Sequence, residues 1–143
     1  RFNPVATSWV PAYGLMQLVP KSGGLDAYNY VYRNTWAPTR SYLFVPRNNI
    51  ELGTAYLRVL MNQFSSVTDP HCRRHCGIAS YNTGAGNVSR AFTGATNLNK
   101  AIPLINKYNY EQLYSHLTNR LSTSEARNYV SGVSKRREKY LKP

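Results

Sequence analysis

The residue types best suited to binding a metal ion are concentrated in one run, His71-Cys72-Arg73-Arg74-His75-Cys76. On a helix the two histidines share one face and the two cysteines share the adjoining face. Such side chains are zinc ligands, but here they spread over a wide arc and two arginines lie among them. Cysteines four residues apart on a helix would form only a strained disulfide. We therefore predict two free or structural cysteines and no metal site.

Carboxylates are the next candidates for chemistry, because most glycosidases use a pair of them as acid and base. Asp69 and Glu125 are instead placed to cap helices. Glu51 and Glu111 fall in the first turns of predicted helices, where a negative charge is favourable. The six carboxylates of the chain are Asp26, Glu51, Asp69, Glu111, Glu125 and Glu138. No paired-carboxylate site is evident from the sequence.

Two short motifs are more informative together than apart. Gly14-Leu15-Met16-Gln17 alone is typical of a short buried turn. Ala79-Ser80-Tyr81-Asn82-Thr83-Gly84 alone is typical of a helix end, since Asn and Gly tolerate left-handed geometry. Phe2-Asn3-Pro4 precedes both motifs, and Glu125-Ala126-Arg127-Asn128-Tyr129 follows them.

In this order the four motifs closely resemble the lysozyme-like SLT domain of family 1 lytic transglycosylases, lyases that cut the glycan strands of peptidoglycan (murein) during cell-wall remodelling. The resemblance covers nearly the whole chain. It implies a mostly α, α+β lysozyme-like fold that cleaves the MurNAc-β-1,4-GlcNAc bond. The C6 hydroxyl of the muramic acid attacks C1 within the same sugar, so a 1,6-anhydroMurNAc end forms without water.

The resemblance also implies a single catalytic Glu, which acts first as an acid and then as a base. In the family this Glu belongs to a Glu-Ser-x-Phe-Asn-Pro pattern, and Arg1 occupies the x position here. We therefore expect the Glu just upstream of Arg1 and a catalytic domain, residues 1–143, that is truncated at its N-terminal edge. The chain as it stands would bind glycan better than it cleaves it.

Five residues match substrate-binding positions of the family. Ser8 matches a Ser near the acid and the substrate, and Gln17 matches a Gln that lines the glycan groove. Tyr81 matches a supporting Tyr whose hydroxyl lies close to the catalytic Glu, and Asn82 helps to shape the same site. Tyr129 matches a late Tyr that closes the pocket. The resemblance implies a groove between the Gly-Leu-Met-Gln motif and the helix that ends near Tyr81, with no cofactor and no metal.

The elements that must position these residues are predicted to be helices with one small β-hairpin. The β-prone runs Tyr28–Tyr32 and Ser41–Val45 flank a Pro-containing turn and predict the hairpin, although the first run could instead extend a helix from Gly24. Asn48 or Asn49 is predicted to cap the helix that follows.

Three further helix starts are predicted beyond this point. Asp69 is a cap followed by Pro70, and its helix should stop before Gly84. Asn109 with Gln112, and Ser122 with Glu125, form capping boxes. The last helix carries an apolar stripe of Ala126, Tyr129, Val130 and Val133.

Length, composition and charge limit the class of protein. The chain has 143 residues, which suits one domain, and its net charge of +12 favours an anionic partner. No apolar run is long enough to span a membrane. The basic C-terminus is either a solvated helix face or a binding patch. Its basic residues are Lys135, Arg136, Arg137, Lys139 and Lys142.

Two alternatives remain open beside the transglycosylase. One is a non-catalytic, peptidoglycan-binding lysozyme-like domain, and the other is a basic nucleic-acid-binding module supported by charge and by twelve tyrosines. No helix-turn-helix, RNA-recognition or zinc-finger pattern is present, so we expect no specific nucleic acid. By resemblance the partner is peptidoglycan, and the chain is a monomer. Its parent protein is then periplasmic and held at the outer membrane by a lipid anchor.

Overall fold

The computed structural model describes residues 2–142, and Arg1, the x position of the motif discussed above, lies outside them. The protein is 68% helical, which confirms the mostly α prediction. The chain divides into two compact units, Arg1–Val59 and Leu60–Pro143. β-type pairing among the described residues is limited to two isolated bridges, Thr7 with Tyr13 and Tyr13 with Leu18.

The first unit consists of an irregular N-terminal segment followed by helices. A π-helical turn, Pro20–Gly24, leads into α1 (Leu25–Tyr32), a short α2 (Arg40–Leu43) follows, and α3 (Pro46–Gln63) begins in this unit. Leu18, Leu43 and Leu52 are fully buried and form its apolar centre.

The predicted β-hairpin is wrong, because both of its runs are helical. Tyr28 and Tyr32 lie in α1, and their rings pack at a centroid distance of 4.7 Å, whereas residues four apart on a strand lie about 13 Å apart. Thr39 caps α2 by accepting a hydrogen bond from the backbone N–H of Tyr42 at 3.1 Å. Tertiary packing and capping therefore outweigh the β-propensity of these tyrosines.

The second unit is a helical bundle with one buried core. Its helices are α4 (Pro70–Thr83), α5 (Ala85–Thr93), α6 (Leu98–Ile105), α7 (Tyr110–Arg120) and α8 (Ser124–Leu141). Helix α4 packs against α5, α7 and α8. The largest side chains of the core include Phe64, Ile105, Leu113, Leu117 and Leu121.

Two predicted helix starts agree with the structure, and in both the cap bonds to residues within the next three positions. The Asp69 carboxylate accepts from His71 N at 2.7 Å and from Cys72 N at 3.1 Å, with Pro70 in the first turn of α4. Asn109 and Gln112 form the predicted capping box at the start of α7.

Two predicted starts are displaced along the chain. The cap of α8 is Thr123, which accepts from Ala126 N at 3.1 Å, so the predicted Ser122 cap is wrong by one residue. Helix α3 begins at Pro46 rather than after Asn48 or Asn49, because Pro suits a first helical turn and Asn49 is used elsewhere.

The run His71–Cys76, whose residue types are suited to binding a metal ion, lies within α4. Cys72 and Cys76 are buried free thiols, and burial raises the pKa of both. No group of three metal-ligand side chains is placed to hold an ion anywhere in residues 2–142. Both cysteines belong to the apolar core of the second unit.

Candidate functional site

The Gly14–Gln17 loop depends on a glycine that no other residue can replace without strain. Gly14 has φ +79°, and a Cβ built there would lie 2.1 Å from Asn49 Nδ2 and 2.5 Å from the carbonyl oxygen of Leu43. At the other end of the loop, Gln17 also adopts a positive φ of 51°. This backbone geometry is uncommon for a non-glycine residue and must be held by its surroundings.

Asn49 provides that support from α3. Its Nδ2 donates to the carbonyl oxygens of Tyr13 and Leu43, both at 2.8 Å, and its Oδ1 accepts from Met16 N at 2.6 Å. The side chain is completely buried, so each of these bonds replaces a lost bond to water. From sequence Asn49 was considered as a possible helix cap, and its role in holding the loop was missed.

Gly53, one turn further along α3, allows the loop to approach the helix. A Cβ at Gly53 would lie 2.5 Å from both Cβ and Cγ of Met16. Asn49 and Gly53 therefore fix the loop from one side of α3, by hydrogen bonds and by close contact respectively.

The side chain of Gln17 is oriented by the backbone around it. Its Nε2 donates to the carbonyl oxygen of Gly14 at 2.8 Å and to that of Ala6 at 3.2 Å. Both amide protons are thereby used, and the remaining capacity of this exposed side chain is as an acceptor at Oε1. Gln17 is thus suited to accept a hydrogen bond from a ligand hydroxyl or N–H.

Ser8 closes a tight turn before this loop. Its N–H donates to the carbonyl oxygen of Ala12 at 3.1 Å, and its Oγ accepts from Ala12 N at 3.2 Å. The Ser8 hydroxyl donates to the carbonyl oxygen of Val10. Because its one proton is used within the turn, Ser8 is available to a ligand mainly as an acceptor.

The other predicted residues belong to the second unit, beginning with the end of α4. Tyr81 and Asn82 are half-buried in the last turn, which ends before Gly84 as predicted. Ser80, immediately before them, is buried, and its hydroxyl has no hydrogen-bond partner among the described residues. The Tyr-Asn motif is therefore carried on a well-packed helix end.

A carboxylate lies beside this motif in space. Asn82 Nδ2 donates to Oε1 of Glu125, in the first turn of α8, at 3.2 Å. From sequence Glu125 was assigned only a capping role, but Thr123 is the cap, and Glu125 instead links the two helices. The residues are 43 positions apart, so no local pattern could have indicated the contact.

Tyr129 follows Glu125 by one helical turn, so both side chains lie on the same side of α8. Tyr129 is half-buried next to the fully buried Val130. Burial raises the pKa of its phenol, which therefore stays protonated near neutral pH and can donate a hydrogen bond. Asn82, Glu125 and Tyr129 together supply the polar groups at this end of the second unit.

Residues 1–103 match the family model for the transglycosylase SLT domain. This match covers well over half of the chain. The chain belongs to the transglycosylase SLT domain family. The family membership inferred from the four ordered motifs is thus confirmed.

Several curated proteins are similar to this SLT domain over nearly its full length. Membrane-bound lytic murein transglycosylase C of Mannheimia succiniciproducens is 41% identical over 140 residues. The proteins of the same name from Cronobacter sakazakii and Actinobacillus succinogenes are each 40% identical, over 141 and 140 residues. Each alignment covers 97% of this chain and 38% of the relative. The SLT domain thus spans well under half the length of these relatives.

The relatives are named as membrane-bound proteins. None of the helices within residues 2–142 is both long enough and apolar enough to cross a bilayer.

Proposed function

We propose that this SLT domain is the substrate-binding and cleaving domain of a peptidoglycan lytic transglycosylase. The observation that carries the proposal is the family match over residues 1–103, supported by 40–41% identity to proteins named lytic murein transglycosylases. The reaction cleaves the MurNAc-β-1,4-GlcNAc bond without water and leaves a 1,6-anhydroMurNAc end.

The proposed chemistry requires one carboxyl group that acts twice. As an acid it protonates the bridging oxygen, so that the C1–O bond breaks and an oxocarbenium-like sugar forms. The C6 hydroxyl of that sugar then bonds to C1, and its proton returns to the carboxylate. The group must have a pKa near the working pH, which an apolar pocket provides.

We propose that this acid is a Glu that precedes Arg1 in the longer protein. Two of the described carboxylates fit the role poorly, because Asp69 caps α4 and Glu125 is exposed and bonded to Asn82. In this scheme the predicted substrate-binding side chains of the 143-residue chain position the glycan. Gln17 accepts a hydrogen bond from a sugar, while Tyr81 and Asn82 orient the reacting sugar and Tyr129 donates a hydrogen bond beside it. Ser8 accepts from the substrate near the acid.

Digestion of purified sacculi by the longer protein tests the reaction. We expect muropeptides that end in 1,6-anhydroMurNAc, each lighter by one water than the product of hydrolysis, as measured by mass spectrometry. Substitution of the upstream Glu by Gln should abolish them. Products with reducing ends only would replace the proposal with a lysozyme-type hydrolase.

The 143-residue chain provides a second arm of the test. We expect it to sediment with sacculi but to release no anhydromuropeptides. Release by this chain alone would place the acid within residues 1–143 and make Glu125 the first residue to substitute. If the longer protein also binds without cleaving, the domain is a non-catalytic peptidoglycan-binding module.

We also propose a location and an assembly state. The domain is then a monomer that faces the periplasm, in a longer protein held at the outer membrane by a lipid anchor. The relatives support the membrane association alone, since they are named membrane-bound. Membrane fractionation of cells that produce the longer protein tests the location, and sedimentation equilibrium tests the monomer. Retention on DNA at physiological salt would instead favour a nucleic-acid partner for the basic surface.

A further inference from the structure

Four aromatic rings of the first unit form a single, partly exposed cluster, here called the aromatic patch. Its members are Tyr28 and Tyr32 of α1, Trp36 of the following loop, and Tyr42 of α2. Tyr28 lies at the centre, with ring-centroid distances of 4.7 Å to Tyr32, 4.9 Å to Trp36 and 6.1 Å to Tyr42. Trp36 and Tyr42 meet at 5.8 Å.

The patch leaves much aromatic surface in contact with solvent. Trp36 is 43% exposed and Tyr32 is 46% exposed, although each packs against a neighbouring ring. A cluster that served only to join α1 to α2 would gain free energy by burying these rings. Exposed aromatic groups held in a fixed arrangement are more typical of a binding surface.

One edge of the patch is polar. The Tyr32 hydroxyl donates to Oε1 of Glu51, and hydrogen bonds to Glu51 and Tyr42 raise the pKa of Tyr32. The phenol therefore remains a neutral donor, and the carboxylate of Glu51 keeps a second oxygen that can accept. Apolar ring faces beside clustered hydrogen-bonding oxygens complement a sugar, whose C–H face is apolar and whose rim carries hydroxyls. The negative charge of Glu51 favours an uncharged sugar over an acidic one.

The patch shares its support with the Gly14–Gln17 loop. Asn48 Nδ2 donates to the carbonyl oxygen of Tyr42 at 3.2 Å, which ties the backbone of one patch residue to the start of α3. The next residue, Asn49, bonds Leu43 of α2 and also Tyr13 and Met16 of the loop. Two consecutive asparagines thus tie the patch and the loop to the same helix turn within one unit.

We propose that the aromatic patch is a carbohydrate subsite for an uncharged N-acetylglucosamine ring, which stacks on Trp36 and hydrogen-bonds to the Glu51 edge. The inference rests on the proposed function, since it takes the glycan strand as the ligand. It adds a place on α1 and α2 where the strand is held.

Titration of the 143-residue chain with chitotetraose, a neutral N-acetylglucosamine oligomer, tests the subsite. The sequence contains only two tryptophans, Trp9 and Trp36, so the indole N–H signals are readily assigned by comparison with a Trp9→Phe variant. We expect the Trp36 signal to shift with chitotetraose. Trp36→Ala should weaken binding about tenfold, the size of effect that loss of one stacking ring gives. Trp36→Phe should bind within about threefold of the unchanged chain, because a stacking ring remains.

Tyr30→Ala is the matched control, because Tyr30 lies on the same helix and is 40% exposed but is not a member of the patch. Its affinity should be unchanged, and thermal melting shows whether each variant is folded. An unshifted Trp36 signal, or equal binding by Trp36→Ala, would overturn the subsite. Anhydromuropeptide release by the longer protein is measured separately, so loss of the subsite alone is distinguishable from failure of the transglycosylase proposal.

Discussion

Asn82 and Glu125 are joined by a hydrogen bond of 3.2 Å from Nδ2 to Oε1, which links the end of α4 to the beginning of α8. The bond explains how the Tyr-Asn motif is held relative to the helix that carries Tyr129. Because Glu125 is exposed, the bond should contribute to the orientation of Asn82 more than to overall stability.

Replacing Glu125 by Ala should therefore separate activity from stability. We expect sacculus digestion by the longer protein to fall about tenfold, while the free energy of unfolding changes by less than about 1 kcal/mol. Glu138→Ala, which removes another exposed carboxylate of α8, is the control and should leave digestion unchanged. Equal activity of Glu125→Ala and the unchanged protein would show that Asn82 needs no partner.

Asn49→Ala should strongly destabilise the first unit. It removes three hydrogen bonds, although the Tyr13 carbonyl keeps a backbone partner, Leu18 N, and we therefore expect a loss of about 3 kcal/mol in the free energy of unfolding. Urea denaturation measures the loss. Asn48→Ala, which removes one bond at the same helix turn, should cost about 1 kcal/mol. Similar costs for the two variants would contradict the assigned role of Asn49.

Gly14→Ala tests whether the loop needs space as well as backbone freedom. Gly14 and Gly94 have similar φ values of +79° and +75°, but a Cβ at Gly94 would meet nothing within 4 Å. Gly94→Ala should therefore cost about 1–2 kcal/mol from backbone strain alone. Gly14→Ala adds a clash with Asn49 and should cost about 2 kcal/mol more, as measured by urea denaturation. If both variants lose the same amount, the loop can move to accept the added carbon.

His75 should make the second unit less stable in acid. Its Nδ1 donates to the carbonyl oxygen of His71, and Ser134 and Tyr110 lie at its Nε2, at 3.0 and 3.3 Å. Burial lowers the pKa of His75 below 6.5, and the charges of Arg74 and Arg137 act in the same direction, against a smaller opposing effect of the His71 bond. The unfolded chain therefore binds the proton first, and stability falls as the pH drops below about 6.5.

Melting temperatures measured between pH 5 and pH 8 should show this decline, and His75→Gln should reduce it. The comparison is made within each variant across pH, so a general loss of stability in His75→Gln does not obscure the result. An unchanged slope would assign the acid sensitivity to other groups.

The parts of the fold predicted from sequence are those set by neighbouring residues. The Asp69 cap and the Asn109–Gln112 capping box are local hydrogen bonds, so their residue types predict them. The hairpin prediction failed because Tyr28 and Tyr32 have β-propensity but are held in α1 by ring packing across one turn. No helix was predicted over residues 85–105, where Gly86 and Pro103 weaken the helical pattern although α5 and α6 form there.

In the candidate site, too, local features were predicted from sequence and long-range contacts were not. The motifs that carry Gln17, Tyr81 and Asn82 were recognisable as an ordered set. The bonds that hold them, from Asn49 to the loop and from Glu125 to Asn82, join residues more than 30 positions apart. The first contact depends on the packing of the loop against α3 and the second on the packing of α4 against α8, and neither has a local sequence signal.

The two cysteines of α4 have a practical consequence for studies of this domain. Cys72 and Cys76 are almost fully enclosed in the core of the second unit, and their pKa values are raised by burial. A thiol reagent can reach Cys76 only when α4 separates from its neighbours, since the reactive thiolate is scarce and shielded in the closed state. The rate of alkylation at Cys76 therefore reports how often this unit opens, without any label being introduced.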